Sequence, residues 1–424
     1  MPAGKPSPTG QIDAVASAGL SSAALRPART GIRPGRRVSA DPSHPRSAML
    51  IDRYIARAQM HAFLIVFISL AGLTFVVDAF TNMEEFVAHA GDAGGLWRVL
   101  GEYYGYRLIS FFDATSGIIS LASAMFALSW LERHNELTAL LAAGVTRWRI
   151  ARGAIVFAGV IAIAAATNRE FVIPHIRQAF SRNAQDLKGD RDLPFEARYD
   201  HETEILFRGR SARAATYRIE GASLHLPLAL SDHGTQIDSD EALWLPADGD
   251  HSAGYLLRGV REPVGIDRLA AIEVAGRTIL QTRAGAAWLN AGECFVASEV
   301  TFEQLVGSAN WSQYSSTPEL VRAIANPSLG VGADVPLRVH ARFVAPLLDM
   351  ALTMLGIPLV VGPNRRGIFV AVGMCVAMTV AFFLVTLGCH AMAASYVISP
   401  SVGAWAPLLV LAPLAAWKAQ PMWQ

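Results

Sequence analysis

Four cations, Arg169, Arg177, Arg182 and Lys188, follow one another closely after an apolar stretch and are the first residues whose type and spacing suit chemistry. Several guanidinium and ammonium groups at a membrane surface can hold an anionic lipid head group without bidentate geometry. Ordinary juxtamembrane charge is the plainer reading of the same residues. Asp78 stands near the end of another apolar stretch. An ionisable group at that depth is a functional candidate by default, or else it lies near enough to water to cost little. Asp113 and Asp349 sit inside apolar windows, facing either a cavity or a neighbouring helix. The segment 132–148, ERHNELTALLAAGVTRW, predicts a short helix with Leu137, Leu140 and Leu141 on one side, Gly144 near its end and Glu136 among its charges. Taken alone, it reads as a solvated surface helix.

Several chemistries are excluded. A P-loop needs Gly-Lys-Ser/Thr, and the only Gly-Lys pair, Gly4-Lys5, is followed by proline, so the chain carries no Walker-type ATPase of its own. HExxH and GxSxG motifs are absent and the scattered serines lack a spaced base, which argues against an intramembrane hydrolase. Cys294, Cys375 and Cys389 form neither a disulfide framework nor a CxxC metal pattern. A formal net charge of +1 and the lack of a basic, aromatic-interleaved stripe argue against a nucleic-acid partner. No catalytic residue, metal ligand or cofactor is therefore expected.

These residues are carried by a chain of 424 residues that is 52% hydrophobic and only 17% charged, with a mean hydropathy of +0.32. Soluble chains hold about a quarter charged residues, so the composition points to a membrane. A bilayer core of ~30 Å needs about 20 apolar residues in a helix. Six windows suit it: residues 60–80, 109–131, 151–168, 343–362, 367–392 and 401–418. Basic residues gather in the loops on one side: Arg53 and Arg57, then Arg133, Arg147, Arg149 and Arg152, then Arg365 and Arg366, and last Lys418. The positive-inside rule makes that side, and both termini, cytoplasmic. Gly356, Gly373 and Gly388 offer close helix packing, Pro346, Pro358, Pro407 and Pro413 offer kinks, and Trp405, Trp417 and Trp423 suit interfacial anchoring. His390 reads as a packed polar group. Residues 1–48 are rich in Ser, Pro, Gly, Ala and Arg without apolar periodicity. They fit a start at Met49 preceded by an over-extended reading of the gene, a disordered tail, or a targeting segment.

Residues 185–315 are the polar exception, and on this topology they lie outside the cytoplasm. Short, partly alternating segments begin at 205, 215, 222, 241, 254, 278 and 293. Turn clusters separate them, which predicts a sandwich or jelly roll. Its apolar interior either opens along one edge to shelter acyl chains or is a closed, packed core. Thr317-Pro318-Glu319-Leu320 predicts a helix start with proline in its first position. The expected fold is a membrane α-helical bundle of six transmembrane helices (3+3) with an inserted periplasmic all-β jelly-roll domain. Residues 49–184 supply spans one to three, and residues 316–424 a connecting helix and spans four to six.

Local motifs sharpen this layout. Ile51-Asp52-Arg53-Tyr54-Ile55 opens span one and Val76-Val77-Asp78 closes it. Asn135-Glu136-Leu137-Thr138 leads to Ala143-Gly144-Val145-Thr146, and Asn168, Glu170 and Pro174 follow span three. Pro346-Leu347, Gly356-Ile357-Pro358-Leu359 and Arg365-Arg366-Gly367 mark span four and its exit. In these blocks the chain from 49 to 418 resembles the LptF/LptG permease family of the lipopolysaccharide export ABC transporter. The β-domain resembles it in pattern and placement only.

The resemblance implies pairing with a second LptF/LptG-like permease so that the spans enclose a cavity in the bacterial inner membrane. It implies an LptB-like ATPase dimer below, which binds the ATP, and LptC- and LptA-like β-jelly-roll proteins above, which continue the path of a lipopolysaccharide or related glycolipid. It makes 132–148 the ATPase-coupling helix, with Glu136 in place of the glutamate that pairs with an ATPase arginine. Such an ion pair on an otherwise apolar docking surface transmits rigid-body motion. The family often has a basic residue on the outer half of span one, whereas this chain has Phe75 there and no Lys or Arg from 58 to 97. Either the partner permease supplies phosphate recognition or the lipid differs. The start and end of span one lean to the LptG side of the family. A membrane scaffold or sensor of the same fold that moves nothing is the competing reading.

Overall fold

The structure is a computed structural model and describes residues 45–91, 95–177, 192–213, 216–248, 251–274, 276–306, 311–361 and 368–422. The expectations for residues 1–44, Arg182, Lys188, Arg365, Arg366 and Trp423 lie outside the described residues. The first half contains helices α1 (Pro45–Thr81), α2 (Met83–Ala90), α3 (Leu96–Arg133), α4 (Glu136–Ala142) and α5 (Arg147–Thr167). After the β-domain come α6 (Phe302–Val306), α7 (Trp311–Tyr314), α8 (Thr317–Ala325), α9 (Asp334–Val361), α10 (Ile368–Ala394) and α11 (Pro400–Ala419). Six of them, α1, α3, α5, α9, α10 and α11, are long and apolar enough to cross a membrane. They outrun the apolar windows because hydropathy registers only the lipid-thick stretch, whereas the helical hydrogen-bond ladder continues beyond it.

One buried cluster draws on all six spans: Ile55, Leu128, Ile150, Leu355, Phe382 and Leu411 belong to it. Lipid is as apolar as leucine, so close backbone approach and packing, more than burial itself, hold such helices together. Three glycines create that approach. A Cβ on Gly356 would stand 2.3 Å from Leu121, one on Gly117 would stand 2.2 Å from the Asp349 carboxylate, and one on Gly403 would stand 2.3 Å from the Ala393 methyl. Of the three glycines expected to pack closely, only Gly356 does; Gly373 and Gly388 have nothing within 4 Å of that position. The spans differ in how much neighbours cover them: 56% of the apolar window of α9 is buried, against 11% in α1 and 6% in α10.

The inserted domain is antiparallel throughout and is organised by β7 (Gln236–Leu245). One edge of β7 pairs with β8 (Gly254–Glu262), followed by β11 (Glu293–Ala297), β10 (Arg277–Thr282) and β9 (Ile272–Val274). Its other edge is shared between β6 (Ser223–His225) and β5 (Arg218–Glu220). Between those two strands Gly221 takes φ +59, and its N–H reaches the Asp240 carbonyl at 2.7 Å. A left-handed residue there redirects the strand, which is why glycine occupies the step. The sheet forks at this point, through β6 to β3 (Ile205–Arg208) and β2 (Arg198–Asp200), and through β5 to β4 (Ser211–Arg213) and β1 (Leu193–Pro194). Phe207, Ile219, Leu224, Tyr255, Leu257, Cys294 and Val296 belong to the core of the domain, all buried.

Strands β1, β2, β4 and β9, of two or three residues each, are too short for alternation to reveal. The segment read as strand from 293 onward ends at Ala297, and Phe302–Val306 is helical. Thr301 explains the change: its N–H donates to the Gln304 side chain at 2.9 Å, and its hydroxyl accepts from Gln304 N–H at 3.4 Å. That reciprocal cap starts a helix. The helix expected from Thr317 is capped one residue earlier, because Glu319 accepts from the Ser316 N–H at 2.8 Å and moves proline to the second position.

Burial pushes the Cys294 thiol up to about 12. A variant retaining Cys294 as its sole cysteine is therefore expected to resist a maleimide at pH 8 while folded and to label on unfolding, because the thiolate is the nucleophile. Mass spectrometry of the intact protein checks this, and rapid labelling of the folded chain would contradict the closed core.

Candidate functional site

At one end of the bundle, α4 is set between two left-handed residues. Asn135 takes φ 59 and turns the chain out of α3, a conformation asparagine tolerates better than most residues. Gly144 takes φ +85 and ends α4: its N–H bonds the Leu141 carbonyl and the Val145 N–H bonds the Leu140 carbonyl, both at 3.0 Å. This is the Schellman pattern, for which glycine is the usual residue. Thr146 then caps α5 by accepting from Arg149 N–H at 3.3 Å. Between those stops only Glu136–Ala142 is helical, shorter than the expected 132–148.

The leucines of α4 face inward. Leu137 is buried in the six-span cluster, and Leu140, Leu141, Val145 and Trp148 pack against it. Thr138, Ala139, Ala142, Ala143 and Gly144 form the exposed side, small residues with no long side chain among them. Glu136 is half-buried at the first position of the helix and accepts a hydrogen bond from the Tyr54 hydroxyl of α1 at 2.7 Å. Asp52 of α1 lies 3.8 Å from Arg149 and 3.6 Å from Arg152 of α5.

At the opposite end, a π-helical turn over Asn168–Val172 continues α5. Pro174 lacks the N–H that a regular helix would donate to the Glu170 carbonyl, and the ladder is carried instead by a bond from Ile173 N–H to the Asn168 carbonyl. The turn sends three successive side chains to different neighbours. Asn168 donates to the Ile109 carbonyl at 3.0 Å, and Arg169 Nε reaches both Asp113 oxygens at 3.0 and 3.1 Å. Glu170 accepts from the Thr317 N–H at 2.9 Å, from the Thr317 hydroxyl, and from Arg342 at 3.3 Å. Arg342, its side chain only 6% exposed, also donates to the carbonyls of Ser312, Gln313 and Ser315 at 3.4, 3.4 and 2.6 Å. Arg177 pairs with Glu303 at 2.9 Å and Glu319 at 3.3 Å. This polar junction joins the third span, the fourth span and the short helices that lead back from the β-domain.

Two of the expected lipid-facing cations, Arg169 and Arg177, are thus committed to carboxylates. Asp78 is also occupied: it accepts from the Tyr104 hydroxyl at 2.8 Å and from Asn82 at 3.2 Å, while Phe75 stacks on the Tyr104 ring. These contacts tie the end of α1 to α3. Asp113 neutralises Arg169, and Asp349 lies against Gly117. Arg338, which the residue patterns did not single out, is half-buried and makes no hydrogen bond or ion pair among the described residues. Its i, i+4 spacing from Arg342 puts both on one face of α9 and was the available signal.

Six apolar helices divided three and three around an antiparallel domain, with a short helix projecting between the second and third spans, define a multi-pass membrane protein. The profile of the family described as lipopolysaccharide export system permease LptF/LptG matches residues 53–200 and 295–420, about two thirds of the chain. The chain belongs to the LptF/LptG family, transport permeases of lipopolysaccharide export in the inner membrane rather than catalytic enzymes. No curated protein was found to match it. The family match omits residues 201–294, the middle of the β-domain.

Proposed function

We propose that this chain is the non-ATPase transmembrane subunit of an ABC-type exporter. It extracts lipopolysaccharide or a similar glycolipid from the inner membrane and passes it to a periplasmic β-jelly-roll bridge of LptC- and LptA-like proteins. A separate LptB-like ATPase dimer drives it. The carrying observation is α4: a helix anchored inward by Leu137, exposing a flat side of small residues and a glutamate at its first turn. An apolar, closely approachable surface with one charge suits a groove on a partner that offers an arginine. Arg53, Arg57, Arg133, Arg147, Arg149 and Arg152 surround that end of the bundle, which supports a cytoplasmic α4 and a periplasmic β-domain.

The lightly covered α1 and α10 present apolar faces, including Ile68, Leu73 and Leu387, each 65% exposed, and Leu384, 62% exposed. They suit pairing with a second six-span permease around a lipid cavity. Among the described residues β1, β2 and β9 each pair with one neighbouring strand, and such edges suit strand addition from a bridge protein. Arg338, whose Nε has no hydrogen-bond partner among the described residues, joins Arg169 and Arg177 as a candidate to meet an anionic lipid head group.

Glu136→Arg is expected to abolish co-purification of the ATPase with the permease pair while the permease remains folded, because the side chain is half-exposed and the reversal of charge opposes a partner arginine. Quantitative pull-down beside a thermal melt measures both. Undiminished recovery of the ATPase would remove the coupling role of Glu136.

A further inference from the structure

We infer that Tyr54 is a positioning residue for Glu136, aiming its carboxylate at the ATPase and passing the load of docking to α1. The inference rests on the coupling role proposed for α4 and adds the element that receives the movement. Among the described residues, the Tyr54 hydroxyl is the only side-chain partner of Glu136, at 2.7 Å across 82 positions of sequence. A glutamate side chain has several freely rotating bonds, and holding them costs conformational entropy at the moment of binding. A hydrogen bond already made in the free permease fixes one carboxylate oxygen, Oε2, and leaves the remaining acceptor positions for an arginine fork.

Among the described residues the same bond is the shortest polar link between α1 and the rest of this end of the bundle. The other links, from Asp52 to Arg149 and Arg152, are 3.8 and 3.6 Å. Further along, α1 is tied to α3 by Asp78 and Tyr104, and 11% of its apolar window is buried. A force applied at Glu136 therefore has two routes: into the buried cluster through Leu137, and to α1 through Tyr54. The span with the fewest buried residues in the first half is the one that can shift against the others.

A double-mutant cycle on the full complex in nanodiscs tests this. The dissociation constant of the ATPase is measured for the wild-type permease pair, Tyr54→Phe, Glu136→Ala and the double variant, together with lipid released per ATP hydrolysed at saturating ATPase. Tyr54→Phe removes one oxygen and keeps the ring, so an unchanged thermal midpoint is expected. It is expected to weaken ATPase binding about tenfold, to lower lipid released per ATP, and to have no further effect on binding in the Glu136→Ala background. Wild-type binding by Tyr54→Phe, or equal weakening in both backgrounds, would overturn the inference, since the hydroxyl would then act elsewhere. If Glu136→Ala itself leaves binding unchanged, the coupling role of α4 fails first and the inference falls with it.

Discussion

Arg342→Leu is expected to destabilise the protein by about 3–5 kcal/mol, the usual cost of breaking a buried ion pair from one side. The Arg342 side chain is 6% exposed and its guanidinium serves Glu170, the Thr317 hydroxyl and three backbone carbonyls at once. Leucine restores none of these bonds. It leaves the Glu170 carboxylate with Thr317 alone, and the carbonyls of Ser312, Gln313 and Ser315 lose this donor. The lost contacts all cross between α5, α9 and the chain running into α8, so the damage should appear as opening at the junction. Thermal unfolding in detergent should show the loss, and limited proteolysis should show cleavage near 312–317 before the spans unfold. Arg342→Lys, which keeps the charge and loses the planar fork, should fall between the two. A melt indistinguishable from wild type would mean that the junction bears no load.

Gly403→Leu should separate α10 from its neighbour. Even the first carbon of a side chain would stand 2.3 Å from the Ala393 methyl and 3.1 Å from the Cys389 carbonyl oxygen. The carbonyl belongs to a helix backbone and cannot rotate aside. Overpacking of this kind costs about 1–3 kcal/mol and sometimes more. Here α10 has little else to hold it, with 6% of its apolar window buried. Gly373→Leu is the control, since nothing lies within 4 Å of its Cβ position. A disulfide-trapping pair placed across α10 and α11 should form in the wild type and in Gly373→Leu and fail in Gly403→Leu. Equal trapping in all three would show that α10 and α11 are not held by that contact.

The contrast between those two glycines shows how far sequence patterns reach. Both stand in long apolar runs, and composition treats them alike. Gly403 is tight because the end of α10 folds back onto the start of α11, where Ala393 and Ala404 are wholly buried. Gly373 has no neighbour within 4 Å of its Cβ position. The cations differ in the same way. Arg169, Arg338 and Arg342 all read as charges at the edge of an apolar span. Asp113 takes the first, Glu170 and three carbonyls take the third, and the second makes no hydrogen bond or ion pair among the described residues. Those carboxylate partners lie 56 and 172 positions away in sequence, and no local window contains them.

What the sequence by itself determined is what depends on neighbours along the chain. The six spans follow from runs of apolar residues, because a backbone in lipid must satisfy its hydrogen bonds within its own segment. The β-domain follows from alternation and turn residues, whereas α4, expected over 132–148, is cut to Glu136–Ala142 by the left-handed turns at Asn135 and Gly144. Only the tertiary structure decided which side of α4 is free, which cations are spent in ion pairs, and that Tyr54 holds Glu136. These depend on distances between residues far apart in the chain, and such distances exist only once the helices have packed.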